Sequence, residues 1–183
     1  MQIAIILTFA WAENAASWLD AIRAQHDPQH KAVPPHVTLL FPTDAVTPQD
    51  AAARAERLSA MTPAFAAHFD RLEIFSVPGG GKYPHLVYLL PDAQTAAHCT
   101  ALHDALPGPS APDGDRAPFE PHVTIARFGA VFSAKALLRQ HGRDVTPPLQ
   151  ARCDGLRLIH IEQGAIRLAA AYQLAPPDIS DSQ

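Results

Sequence analysis

Two short stretches of this chain set the same polar pair in the same apolar context: Pro35-His36-Val37-Thr38-Leu39 and Pro121-His122-Val123-Thr124-Ile125. β-Branched and large apolar residues behind a proline make each a short strand. Side chains alternate faces along a strand, so each His and its Thr point the same way. An imidazole titrates near neutrality and moves protons, while a hydroxyl donates a hydrogen bond. If the two strands face each other, a neutral ring can take a proton from water while a protonated one delivers a proton to a leaving oxygen. The hydroxyls can donate to oxygens on which charge develops. In-line displacement at phosphorus needs nucleophile and leaving group on opposite sides, and opposed histidines supply that arrangement without a metal.

The elements that must position these pairs repeat as well. Residues 3–9 form an apolar strand. A helix opens at Glu13 or Asn14 and runs to about Gln25, with Ala16, Leu19, Ile22 and Arg23 at helical spacing, until His26-Asp27-Pro28 stops it. The first His/Thr strand covers 36–41. Thr47-Pro48 then starts a helix to about Ala60, and a strand lies within 65–77. After the loop 78–84 the order begins again: strand 85–90, helix 92–106, the second His/Thr strand 122–128, a helix capped by Ser133, and strand 149–161. A final strand spans 166–174. The Gly/Pro/Asp loop 107–117 is long enough to act as a rim or lid.

The order β-α-β-α-β thus occurs twice, with one extra strand. The motifs lie 86 residues apart (122 − 36), nearly half of the 183-residue chain and too long a period for a solenoid. A duplicated unit fits: two lobes of one domain, about 1–78 and 83–175, facing each other across a pseudo-two-fold axis, with 176–183 as a flexible tail.

Composition narrows the partners. The net charge is −4, and no basic stripe of the kind that tracks a nucleic-acid duplex is visible. A small anionic ligand or the end of an oligonucleotide remains open. Cys99 and Cys153 lie far apart with no CxxC pattern, which reads as a reduced, intracellular protein. The apolar N-terminal stretch is too short to span a bilayer. It reads as a buried strand, and the expectation is a soluble, cytoplasmic monomer without membrane association.

The paired motifs His36-Val37-Thr38-Leu39 and His122-Val123-Thr124-Ile125, each behind a proline, resemble those of the two-histidine (2H) phosphoesterase superfamily. Within it the chain is most similar to the 2′-5′ RNA ligase-like, or RNA 2′,3′-cyclic phosphodiesterase, branch. The strand Tyr83-Pro84-His85-Leu86-Val87-Tyr88-Leu89-Leu90-Pro91, leading into a helix, also looks like that branch, and the resemblance covers roughly residues 1–175. It implies a bilobal α+β fold with two antiparallel sheets facing a central cleft. It also implies cofactor- and metal-independent opening of a 2′,3′-cyclic phosphate, on a small cyclic nucleotide or an RNA 3′ end, to a 2′-phosphate. In that scheme His36 is the general acid to the 3′-oxygen, His122 the general base for water, and Thr38 and Thr124 hold the phosphate.

Simpler readings compete. Either motif alone reads as a structural histidine on a strand; together they point to a shared site. Strand parity groups 122, 124 and 126 and turns Arg127 away unless a bulge intervenes. Phe41 fails the same test and reads as core, unless the strand bends at Pro42 and lets the ring stack on a base. Tyr83 and Lys82, on a Gly-rich loop beside the cleft, are better placed to touch a nucleobase or phosphate, with an ordinary surface loop as the default. Gly79-Gly80-Gly81-Lys82 lacks the Ser/Thr and the following helix of a P-loop. The other histidines are scattered, and no zinc spacing appears. A non-catalytic module that captures an RNA end or nucleotide in the same cleft is the alternative function.

Overall fold

The computed structural model describes residues 1–77, 79, 81–106 and 119–176. The expected rim loop 107–117 and the tail from 177 lie outside these residues. The order is β1 (Gln2–Trp11), α1 (Glu13–His26), β2 (His36–Thr43), α2 (Pro48–Met61), β3 (Phe65–Ser76), β4 (His85–Pro91), α3 (Ala93–Asp104), β5 (Val123–Phe128), α4 (Val131–His141), β6 (Leu149–Glu162) and β7 (Ala165–Gln173). This is β-α-β-α-β twice, followed by one strand.

Local chemistry explains most boundaries. The Thr47 hydroxyl accepts from the Asp50 amide at 3.1 Å, with Pro48 at the first helical position of α2. The Asp92 carboxylate caps α3 by accepting from the Thr95 amide at 2.8 Å. Ser133 does not cap α4. That helix starts two residues earlier, at Val131, and Ala130 makes no side-chain cap. The apolar pair Val131-Phe132 masks this start in the sequence.

The strands form one seven-stranded sheet in the order β1-β2-β5-β4-β3-β6-β7, and a further β1–β6 pairing closes six of them into a ring. The two antiparallel halves meet at two seams. One is the single pair Val37–Val123; the other runs along Phe65–Phe69 and Leu149–Cys153. Exchanging β1 with β4, β2 with β5 and β3 with β6 maps the pairings within one half onto those of the other and each seam onto itself. The duplication is therefore written in the hydrogen-bond pattern itself.

The two faces of the sheet differ. Ile3, Ile5, Leu7 and Phe9 of β1, with Val87 and Leu89 of β4, join the main core. Leu19, Ile22, Ala55, Cys99, Leu102 and Leu137 bring the helices to that face. Each large apolar side chain buried there contributes about 1.5–3 kcal/mol. Ala4 and Ile6, and Leu86, Tyr88 and Leu90, point to the opposite face in smaller clusters. Cys99 and Cys153 are unpaired in the core, and burial pushes the Cys99 thiol up to about 12.

Candidate active site

His36, Thr38, His122 and Thr124 line one cavity of about 260 Å³ on the helix-free face. The seam between the halves puts them there. Val37 pairs with Val123, each the residue between its His and Thr. That antiparallel register sets His36 across from Thr124 and His122 across from Thr38. The four polar groups form a quartet in which the two imidazoles lie on one diagonal.

Each imidazole is anchored in the same way. Nδ1 of His36 donates to the Pro34 carbonyl at 2.8 Å, and Nδ1 of His122 donates to the Glu120 carbonyl at 2.7 Å. A carbonyl only accepts, so both Nδ1 atoms carry a proton and Nε2 is left for proton exchange. Both rings are held below the usual histidine range, first of all by burial. For His36, burial outweighs the Pro34 hydrogen bond, and the nearby Arg23 and Arg127 cations push further, down to about 4. For His122, burial outweighs the Glu120 carbonyl and carboxylate, with Arg127 again pushing down.

Arg127 does not point away, and Phe41 is not core. Both strands carry a bulge at the same place. On β2, Ile5 pairs with Leu40 and Ile6 with Thr38, which leaves Leu39 as the extra residue. On β5, Val87 pairs with Ala126 and Tyr88 with Thr124, which leaves Ile125 extra. The extra residue reverses the alternation. Leu40 and Ala126 turn into the main core, while Phe41 and Arg127 turn into the cavity. The Leu39 carbonyl, displaced from the ladder, accepts from Nδ1 of His103 on α3 at 2.7 Å. No glycine marks either bulge, so parity alone misplaces both side chains.

Arg127 is fixed from behind. Its Nε donates to Asp27 at 3.2 Å and its Nη2 to the Gln29 side-chain oxygen at 3.0 Å. Asp27 in turn accepts from Nε and Nη2 of the buried Arg23, which also donates to the Val33 carbonyl. This network ties the end of α1 to β5, and Arg127 lines the cavity. Phe41, 53% exposed, offers its ring at the rim.

Two further residues of the site carry no motif signal in the sequence: Tyr88, whose ring stacks on His122, and Gln29, which lines the cavity. Tyr88 could have been found by aligning the two halves, where it falls at the place of Ile6. Tyr83 lies outside the main cavity and borders a neighbouring one. Lys82 instead stands 5.1 Å from the Tyr83 ring. Among the described residues no group of three or more His, Cys, Asp or Glu is arranged to hold a metal. No described helix is long and apolar enough to cross a membrane.

Comparison with known proteins agrees with this construction. The family model of the 2′-5′ RNA ligase superfamily matches residues 11–165. A search of curated proteins finds no match. Among solved structures, TT0787 of Thermus thermophilus superposes with a TM-score of 0.58 at 19% identity, over 96% of this chain and 99% of that one. E. coli LigT complexed with NADP+ gives 0.54 at 18% identity, over 95% and 97%. Usb1 of Kluyveromyces marxianus gives 0.56 at 12% identity, over 94% and 97%. At these identities the superpositions speak to the fold.

The ring of strands and the paired motifs define a two-histidine phosphoesterase. More narrowly, the chain belongs to the 2′-5′ RNA ligase superfamily.

Proposed function

We propose that this protein is a metal-independent cyclic phosphodiesterase that opens a 2′,3′-cyclic phosphate, at an RNA end or on a nucleotide, to a 2′-phosphate. The observation that carries this reading is the convergence of two His/Thr pairs, one from each half, on a single small cavity. Its volume is at the low end for ligand sites, which suits a site that takes the end of a molecule. That E. coli LigT has been crystallised with 3′-AMP, and Kluyveromyces marxianus Usb1 with uridine monophosphate, supports a nucleotide in this cleft.

The phosphate sits in the quartet, its non-bridging oxygens accepting from the Thr38 and Thr124 hydroxyls and facing the Arg127 cation. Water attacks phosphorus, and Nε2 of His122 takes its proton. The P–O3′ bond breaks, and Nε2 of His36 delivers a proton to the departing 3′-oxygen. The products are a 2′-phosphate and a free 3′-hydroxyl, and the two rings return to their starting states by exchange with solvent. A bound phosphate anion raises the pKa of both rings, so the substrate itself favours the one protonated imidazole that the reaction needs. His36 depends on this more, since burial and two arginines hold it low in the empty cleft. Phe41 is placed to stack on the terminal base.

The test is turnover of a 2′,3′-cyclic nucleotide and of an RNA with a cyclic-phosphate end, in EDTA, with products resolved. His36→Ala and His122→Ala should each lose about 10²- to 10⁴-fold while folding normally. Binding without turnover, weakened by Thr38→Ala or Thr124→Ala, would instead mark a non-catalytic RNA-end or nucleotide-binding module.

A further inference from the structure

Beside the cleft lies a second cavity of about 340 Å³, walled by the end of α1, Tyr83, Phe128 and Gly129. Arg127 borders both cavities. The end of α1 leaves three carbonyls without their intrahelical donors, each for an identifiable reason. Pro28 has no N–H to give to Ala24. The Gln29 amide turns instead to the Asp27 carboxylate at 3.0 Å. The His30 amide turns to the Asp27 carbonyl at 2.9 Å. Ala24, Gln25 and His26, whose carbonyls are thereby freed, are residues of the cavity wall.

This end of the helix is its negative pole. The helix end of the cavity therefore favours N–H donors. Its lining also holds three rings, those of Tyr83, Phe128 and His26, the last two with centroids 5.2 Å apart. Flat π-surfaces beside helix-end carbonyls that lack their intrahelical donors describe a seat for a base carrying an exocyclic amine.

We propose that this cavity holds the nucleobase of the nucleotide preceding the cyclic-phosphate terminus, so that the preferred substrate is an RNA end and not a mononucleotide. The inference rests on the phosphodiesterase reading and names its substrate class. A chain whose terminal phosphate lies in the His/Thr quartet passes Arg127 to reach the second cavity. The cation stands where the intervening phosphodiester crosses. Adenine, cytosine and guanine present an amine to the α1 carbonyls; uracil does not.

The test compares kcat/KM for three substrates: 2′,3′-cyclic UMP, the dinucleotide ApU ending in a 2′,3′-cyclic phosphate, and the same dinucleotide with its 5′ base removed. One base stacked on an aromatic platform corresponds to a gain of about tenfold for the full dinucleotide over the mononucleotide. The abasic substrate should lose that gain. Tyr83→Ala should lose it too while turning over the mononucleotide as before, which also shows that the variant is folded. Equal values for the three substrates, or a gain that survives base removal or Tyr83→Ala, would overturn the proposal. Failure to turn over any of the three would overturn the phosphodiesterase reading beneath it.

Discussion

The ring of Tyr88 lies against the imidazole of His122, centroids 3.6 Å apart and planes at 15°, and Phe75 stacks on the far side of the Tyr88 ring at 5.6 Å. Across the pseudo-two-fold axis the place of Tyr88 belongs to Ile6, which pairs with Thr38 as Tyr88 pairs with Thr124. His122 therefore has an aromatic floor, while the matching place in the His36 half holds an aliphatic residue. A π-face attracts a cation, so the two halves treat the protonated rings differently.

The floor is expected to hold the His122 ring in plane. Tyr88→Ala should lower kcat about tenfold, the effect of a loosened general base or acid, with a smaller change in KM. Tyr88→Phe keeps the stack and should keep kcat. Steady-state kinetics on a cyclic nucleotide decides this, and equal kcat in both variants would remove Tyr88 from the positioning of His122.

The roles of the two histidines separate by leaving group. An aryl phosphodiester departs without help from a general acid. With such a substrate His36→Ala should recover most of the wild-type rate, while His122→Ala should stay slow. Recovery of the His122 variant instead would exchange the two roles.

The pH profile follows from the field at the cleft. Both rings lie below the ordinary value of 6.5 when the cleft is empty, and His36 lies at about 4. The state with one ring protonated peaks between the two pKa values. kcat/KM should therefore rise as the pH falls from neutrality into the range below 6.5, then decline on further acidification. Removing a nearby positive charge favours protonation. Arg127→Gln should therefore move the optimum to higher pH, whatever it does to the maximal rate, and an unmoved optimum would separate Arg127 from this field.

The same group couples acid to stability. His36 has a folded pKa of about 4 against 6.5 in the unfolded chain, so the unfolded state binds more protons between these values. The neutral ring's contribution is fully present above 6.5 and is lost as the pH falls toward 4. Urea denaturation at pH 7 and pH 4.5 should show a larger loss for the wild type than for His36→Asn. Equal losses would show that the ring is freely solvated in the fold.

Asp27 is the hinge pin of the arginine network. It is 6% exposed and joins Arg23 to Arg127. Asp27→Ala leaves Arg23, 2% exposed, without its carboxylate and should cost about 3–5 kcal/mol in a denaturation experiment. Arg127→Ala, which leaves the Arg23–Asp27 pair intact, should cost far less.

The duplication and the quartet could be read from residue types because both rest on short-range rules. Strand alternation, proline breaks and the Thr47 cap depend on neighbours in the chain. Arg127 and Phe41 could not be placed that way. Their orientation turns on bulges at Leu39 and Ile125, ordinary apolar residues whose extra place in the ladder is set by pairing with β1 and β4. The Ser133 assignment failed for the opposite reason, since a polar residue near a helix start looks like a cap even where the helix begins at an exposed apolar pair. The buried Arg23 showed only as a position on a helical face, because its partner Asp27 sits at a break where the helical pattern has already ended.

The exchange of strand pairings between the halves has an evolutionary consequence. Had this site been built from two copies of a half-length chain, every residue beside one histidine would have its twin beside the other, and no mutation could give them separate duties. A single polypeptide carries no such constraint. Isoleucine stands at one address and tyrosine at the other, so the two histidines have different surroundings.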